Sequence, residues 1–113
     1  MATVQDLVDG LERVRVKHTE AVIFQGDKGY VQAALVTKDQ FKLEAVSDEF
    51  LEKPLTTAQL LALRRLGFQP PGPLSPNHWQ HASADPSAAA EVLGQTLTQV
   101  YGESLDAVEV VDV

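Results

Sequence analysis

Cysteine is absent from this 113-residue chain, which excludes disulfides, thiolate metal sites and cysteine nucleophiles together. No apolar run approaches the roughly 18 residues that a membrane span requires. Thr3, Gln5 and Asp6 stand near the start, where a secretory leader needs positive and then apolar side chains. The chain is therefore expected outside the bilayer and, by default, in the cytoplasm. Basic residues give out along the chain: from Asp85 to Val113 there is no Lys or Arg but six acids, Asp85, Glu91, Glu103, Asp106, Glu109 and Asp112, within a net charge of −7. Such a surface repels a phosphate backbone, so nucleic acid is not an expected partner. Dinucleotide fingerprints and Walker-type loops are missing as well.

What is present suits a globular fold. The apolar fraction is 44%, and a single domain of this length buries roughly two-thirds of its unfolded surface. The stretch Leu55 to Trp79 carries the clearest local signals. Thr56 and Gln59 have capping-box spacing, and Leu55 and Leu60 have that of a hydrophobic staple. Gly67 can close the helix in the left-handed conformation while Phe68 folds back towards Leu63. Pro70, Pro71, Pro73 and Pro76 then forbid continuation.

Earlier in the chain, Thr3 with Asp6 marks a helix start, and Val4, Leu7, Val8, Leu11 and Val14 line one helical face. Gly10 lowers that helix's propensity by roughly 1 kcal/mol relative to Ala. Ala21–Gln25, Tyr30–Val36 and Phe41–Ser47 read as strands, the first two joined by the turn Gly26-Asp27-Lys28-Gly29. A three-residue loop at Thr37-Lys38-Asp39 aligns Val31, Ala33 and Leu35 with Ala45, Leu43 and Phe41 on one apolar face. It also sets Gln32 opposite Glu44 on the other face, and a slip of one residue would exchange the two. Asp48–Lys53 is a charged connector. Asn77–Ser83 reads as a strand that carries Trp79 inward. Asp85-Pro86 caps a helix over Ser87–Tyr101, stopped by Gly102. Its apolar side holds Ala89, Val92, Leu93, Leu97 and Val100, while Gln95, Thr98 and Gln99 form a polar, nearly uncharged side. Val108–Val113 is either a last strand or a loosely held tail.

This order predicts an α+β domain: a curved antiparallel sheet of four to five strands packed against helices.

Catalytic and metal-binding patterns fail one after another. His78 and His81 lie three apart on a strand and point to opposite faces, and His18 is remote, so no metal site is expected. No G-x-S-x-G elbow supports a serine nucleophile. Glu20 and Glu44 read as strand-surface charges rather than an acid/base pair. Gly26-Asp27-Lys28-Gly29 matches the GXXG loop of KH domains in letters, but strands flank it where those domains have helices.

The segment LRRLGFQPP, followed by a prolyl stretch and Asn77-His78-Trp79, resembles the L-x-x-L-G-[WF]-x-x-P…W segment of TY-Chap domains. These belong to the superfamily joining type III secretion chaperones and YbjN-like proteins. Tyr30-Val31-Gln32, Glu44-Ala45-Val46-Ser47 and Leu97-Thr98-Gln99-Val100-Tyr101-Gly102 resemble the family's Y/F-V-Q strand, E-V-V-S strand ending and T-L-x-x-V-[FY]-G helix ending, in the same order. Phe68 stands where the family often has tryptophan, and Ala45 replaces a valine. The resemblance implies a helix–strand–strand–strand–helix–strand–helix sandwich, commonly homodimeric, whose relatives bind unfolded or extended client segments. The function expected on this basis is a non-enzymatic, cofactor-free, chaperone-like module for a client protein or peptide. Gln32, Glu44 and Trp79 are its candidate recognition residues, although core burial is the plainer reading of Trp79 and a cross-strand pair that of Gln32 and Glu44. A regulatory or structural domain that recognises one folded partner is the alternative.

Overall fold

Local chemistry starts the three helices, and stops the second, where the spacing expects it. The structure is a computed structural model and describes residues 2–37, 40–47, 54–73, 78–83 and 85–113. The first helix, α1 (Val4–Arg15), opens on a capping box: the Thr3 hydroxyl accepts from the Asp6 N–H while the Asp6 carboxylate accepts from the Thr3 N–H at 2.7 Å. Thr56 and Gln59 make the same reciprocal pair at the head of α2 (Thr57–Arg65). Asp85 caps α3 (Pro86–Gln95) through the Ser87 N–H at 3.1 Å, with Pro86 at the first helical position. At the end of α2, Gly67 takes φ +100°. The N–H groups of Gly67 and Phe68 then return to the carbonyls of Arg64 and Leu63, both at 3.0 Å. This double closure satisfies carbonyls that the helix leaves without partners.

Five antiparallel strands form one open sheet in the order β4-β3-β2-β1-β5, with β1 at Ala21–Gln25, β2 at Tyr30–Thr37, β3 at Gln40–Val46, β4 at His78–Ser83 and β5 at Glu109–Asp112. The α+β sandwich and its element order are as the sequence implies. The β2–β3 register follows the apolar alternation, with Val31 opposite Ala45, Ala33 opposite Leu43, Leu35 opposite Phe41 and Gln32 opposite Glu44. The connection differs from the expected three-residue loop. Pairing continues to Thr37 and Gln40, and the extra residue is taken up by a bulge at Val36, whose side chain is 62% exposed. A bulge absorbs one residue without exchanging the faces further down the ladder. Residues 38–39, the expected connector at 48–53, and Asn77 at the head of the fourth strand lie outside the described residues.

The third helix also departs from expectation. It is α-helical only to Gln95, and residues Thr96–Val100 widen into a π turn in which the Tyr101 N–H reaches the Thr96 carbonyl. Thr96 is buried there, its hydroxyl donating to the Val92 carbonyl at 2.7 Å. Of the two readings open for the final residues, the strand holds: β5 pairs with β1.

One face of the sheet carries the core. Val22, Phe24, Val31, Ala33, Phe41, Leu43, Ala45 and Trp79 are buried against Leu7, Leu11 and Val14 of α1 and Ala89, Ala90 and Leu93 of α3, with Leu63 and Leu97 completing the cluster. The two helices pack on each other and on the strands, while α2 packs against the π turn. The turn Gly26–Gly29 has a role that its spelling conceals. It wraps the buried carboxylate of Glu103, which accepts from the N–H groups of Asp27, Lys28 and Gly29 at 3.0, 2.5 and 3.0 Å. Three converging amides make a fitting receptor for an anion, and the chain fills it with its own side chain.

Candidate functional site

Because side chains alternate along each strand, the register that buries Val31, Ala33, Leu43 and Ala45 turns Tyr30, Gln32, Lys42 and Glu44 to the other side of the sheet. There β4 contributes His78 and Gln80, opposite Val46 and Glu44. β1 adds Ile23 opposite Gln32, and β5 adds Val111 opposite Ile23. In contrast to the sealed inner face, these side chains, Val46 apart, are half-buried or exposed.

Glu44 is the hub of this outer face. Its Oε1 accepts from Gln32 Nε2 at 3.0 Å, while Oε2 lies 3.7 Å from Lys42 Nζ and 3.8 Å from His78 Nδ1. The other imidazole nitrogen, Nε2, is 2.8 Å from the Tyr30 hydroxyl, and the two rings meet edge to face with centroids 5.7 Å apart. Burial, and after it the charge of Glu44, raises the Tyr30 phenol above its ordinary value of 10.0. A raised pKa is the wrong direction for a phenolate nucleophile. The row Tyr30–His78–Glu44 is a set of hydrogen-bonding groups that spans β2, β4 and β3. Beside it, Ile23, Ala34 and Val111 supply an apolar strip across β1, β2 and β5.

Of the residues singled out in the sequence, Gln32 and Glu44 are brought together, as a hydrogen-bonded cross-strand pair. Trp79 is not with them. It pairs with Ala45, the neighbour of Glu44, and so points into the core at 5% exposure, with the Arg64 guanidinium 5.7 Å from its ring centre. The position beside Glu44 on the outer face belongs to Gln80. Tyr30, Lys42, His78 and Gln80 are not among the recognition residues expected from the sequence, where His78 is weighed only as a metal ligand. Extending the Gln32–Glu44 register by one strand would have found the β4 pair.

Among the described residues, no group of three His, Cys, Asp or Glu side chains is placed to hold a metal ion. No helix among them is long and apolar enough to cross a membrane.

A family model, TY-Chap3, described as "T3SS (YopN, CesT) and YbjN peptide-binding chaperone 3", matches residues 2–107. No curated protein and no solved structure matches the chain.

Proposed function

The chain belongs to the TY-Chap3 family of peptide-binding chaperones, and on that premise we propose that it holds an extended client segment on the outer sheet face. In this reading it works in the cytoplasm as a homodimer, without a cofactor and without catalysing a reaction on the client. The observation that carries the choice of surface is the half-buried cluster of Gln32, Glu44, Lys42, His78 and Tyr30, set beside the apolar strip of Ile23, Ala34 and Val111. A polypeptide offers amides, charges and apolar side chains in alternation, and a surface with both kinds of group suits it better than a purely apolar one. Trp79, buried on the far side, is left out of the contact surface.

The dimer contact in this reading is α2. Leu63 is its one buried residue, Leu60 and Ala62 are half-buried, and Leu61 is 50% exposed. A short amphipathic helix with that much apolar surface still open suits a self-complementary two-fold contact.

The test uses a reduced and alkylated, permanently unfolded protein as client, with binding followed by fluorescence anisotropy. Replacing Gln32 with Ala and Glu44 with Gln removes one hydrogen-bonding amide and one charge. This double variant should weaken binding by about tenfold while leaving the circular dichroism unchanged, as expected for the loss of one to two net hydrogen bonds. Undiminished affinity in the double variant would move the client off this face. Light scattering should give the mass of two chains, and a strict monomer at all concentrations would remove the dimer.

A further inference from the structure

We propose that the side of β1 away from β2 is a second peptide site, an acceptor for one extended strand, and that residues 108–113 are its resident and exchangeable occupant. This rests on the peptide-binding reading and adds the sheet edge to the outer face, the two meeting at Val111 opposite Ile23. β5 is a four-residue strand with a single neighbour. Val110 is half-buried, whereas Glu109, Val111 and Asp112 are exposed. Beside it in the sheet, Val22 and Phe24 of β1 are fully buried. Open depressions border both ends of the strand: one of about 290 Å³ lined by Ala2, Asp6, Asp9, Val108 and Val110, and one of about 690 Å³ beside Val14, Leu35 and Val113. β5 also lies beyond the residues that the family model matches.

The seated strand shows what the site selects. Its register sets Val110 opposite Phe24 and Asp112 opposite Val22, so both point to the helix side of the sheet. There the Asp112 carboxylate meets Arg13 of α1 in a two-point contact, Nε to Oδ2 at 2.9 Å and Nη2 to Oδ1 at 3.0 Å. That hydrogen bond, followed by the charges of Asp112 and Asp9, raises the Arg13 guanidinium above its usual value despite some desolvation. The strand's end is tied down by main chain: the Val113 N–H donates to the Ala21 carbonyl, and the Glu20 N–H donates to the Val113 carbonyl. The ligand class is therefore an extended segment, antiparallel to β1, with an apolar residue followed two positions later by a carboxylate. The β1 main chain gives such a segment its ladder bonds, and the planar fork of Arg13 reads the acid. An incoming strand of this pattern replaces each bond that β5 gives up, so exchange is close to balanced. The resident keeps the advantage of being tethered, equivalent to an effective concentration on the order of millimolar.

The probe is a labelled synthetic peptide with the sequence of residues 107–113, titrated against the full chain. Wild type should bind it weakly because its own strand is in place. Val113 donates to Ala21, so the two-residue period of the ladder puts Val111 among the donors. Val111→Pro therefore removes a rung from an edge strand without touching the core. It should tighten peptide binding by at least about tenfold, the tether advantage being lost, and it should speed amide exchange along β5. A peptide with asparagine at the Asp112 position should bind several-fold more weakly than the parent. If Val111→Pro fails to fold, Asp112→Asn in the chain breaks only the Arg13 contact and should still give a measurable, smaller gain. No tightening in a folded variant, or equal binding of the aspartate and asparagine peptides, overturns the proposal. Replacing Gln32 and Glu44 should leave this peptide's affinity unchanged, so failure at the edge is distinguishable from failure on the outer face.

Discussion

Glu103 is one residue in a run of acids, yet it joins the β1–β2 turn to the end of the π turn by accepting three main-chain N–H groups. Glu103→Gln keeps the shape but turns an amide NH₂ towards donors, leaving at least one of these buried or part-buried N–H groups without a partner. Such a loss costs about 1–3 kcal/mol, and urea unfolding should register it as a lower midpoint with an unchanged slope. Gly26→Ala attacks the same contact from the other side, since a Cβ there would collide with the Glu103 carboxyl group. The two substitutions should be markedly less than additive, as expected where both break one interaction. His81 carries a separate prediction. Burial holds its imidazole below the ordinary 6.5, and its Nδ1 accepts the Ala82 N–H at 2.9 Å. The unfolded chain therefore takes up the proton more readily than the folded one. The stabilisation from this group is complete above pH ~6.5 and is lost as the pH falls through the lower folded value. Urea midpoints at about pH 7.5 and about pH 5 should differ less in His81→Gln than in wild type, and equal pH dependence in the two proteins would refute the assignment.

Elements depend on both near and distant partners, and only the near ones are legible in the sequence. Each helix start could be read because the capping groups stand two or three residues apart. The β2–β3 register could be read because alternation alone distinguishes the faces. The outer-face pair of Gln32 and Glu44 followed from that register, whereas His78 and Tyr30 join it across a separation of 48 residues. Trp79 is a candidate recognition residue in the sequence, yet the period of two sends it to the core, its plainer reading, once its pairing with Ala45 is known. The Glu103 receptor was invisible because its partners lie 74 to 76 residues away. The π turn was invisible because the apolar spacing of Leu93, Leu97 and Val100 is equally that of an ordinary helix. Gly10 shows the same division. Propensity marks it as a weakness in α1, but a Cβ there would lie 3.1 Å from Val22 Cγ2 and 3.2 Å from the Phe24 ring. Both neighbours are fully buried and cannot easily yield. Gly10→Ala gains about 1 kcal/mol of helix propensity and loses more through overpacking, which typically costs about 1–3 kcal/mol. The variant should therefore be less stable than wild type, and a raised thermal midpoint would show that α1 can move off the sheet.

At the scale of the whole molecule, the sheet divides the work between its faces. Helices occupy the core side, and the outer face is left for a client in the proposed function. Five strands at roughly 4.8 Å spacing make a face about 20 Å wide, which an extended peptide crosses in about six residues. A series of client fragments should therefore gain affinity up to about that length and level off beyond it. A dimer built through α2 keeps this face open, because α2 lies on the core side of the sheet, where Leu63 joins the core and Arg64 reaches the Trp79 ring. Leu61→Asp places a charge at the centre of the proposed contact but on a side chain already 50% exposed in the single chain. It should convert the protein to a monomer by light scattering while leaving the affinity for a six-residue client segment within about twofold, because distant sites act independently. Loss of client binding together with dimerisation would instead mean that the client is held jointly by two chains, and the surface around Gln32 and Glu44 would then be half of a site.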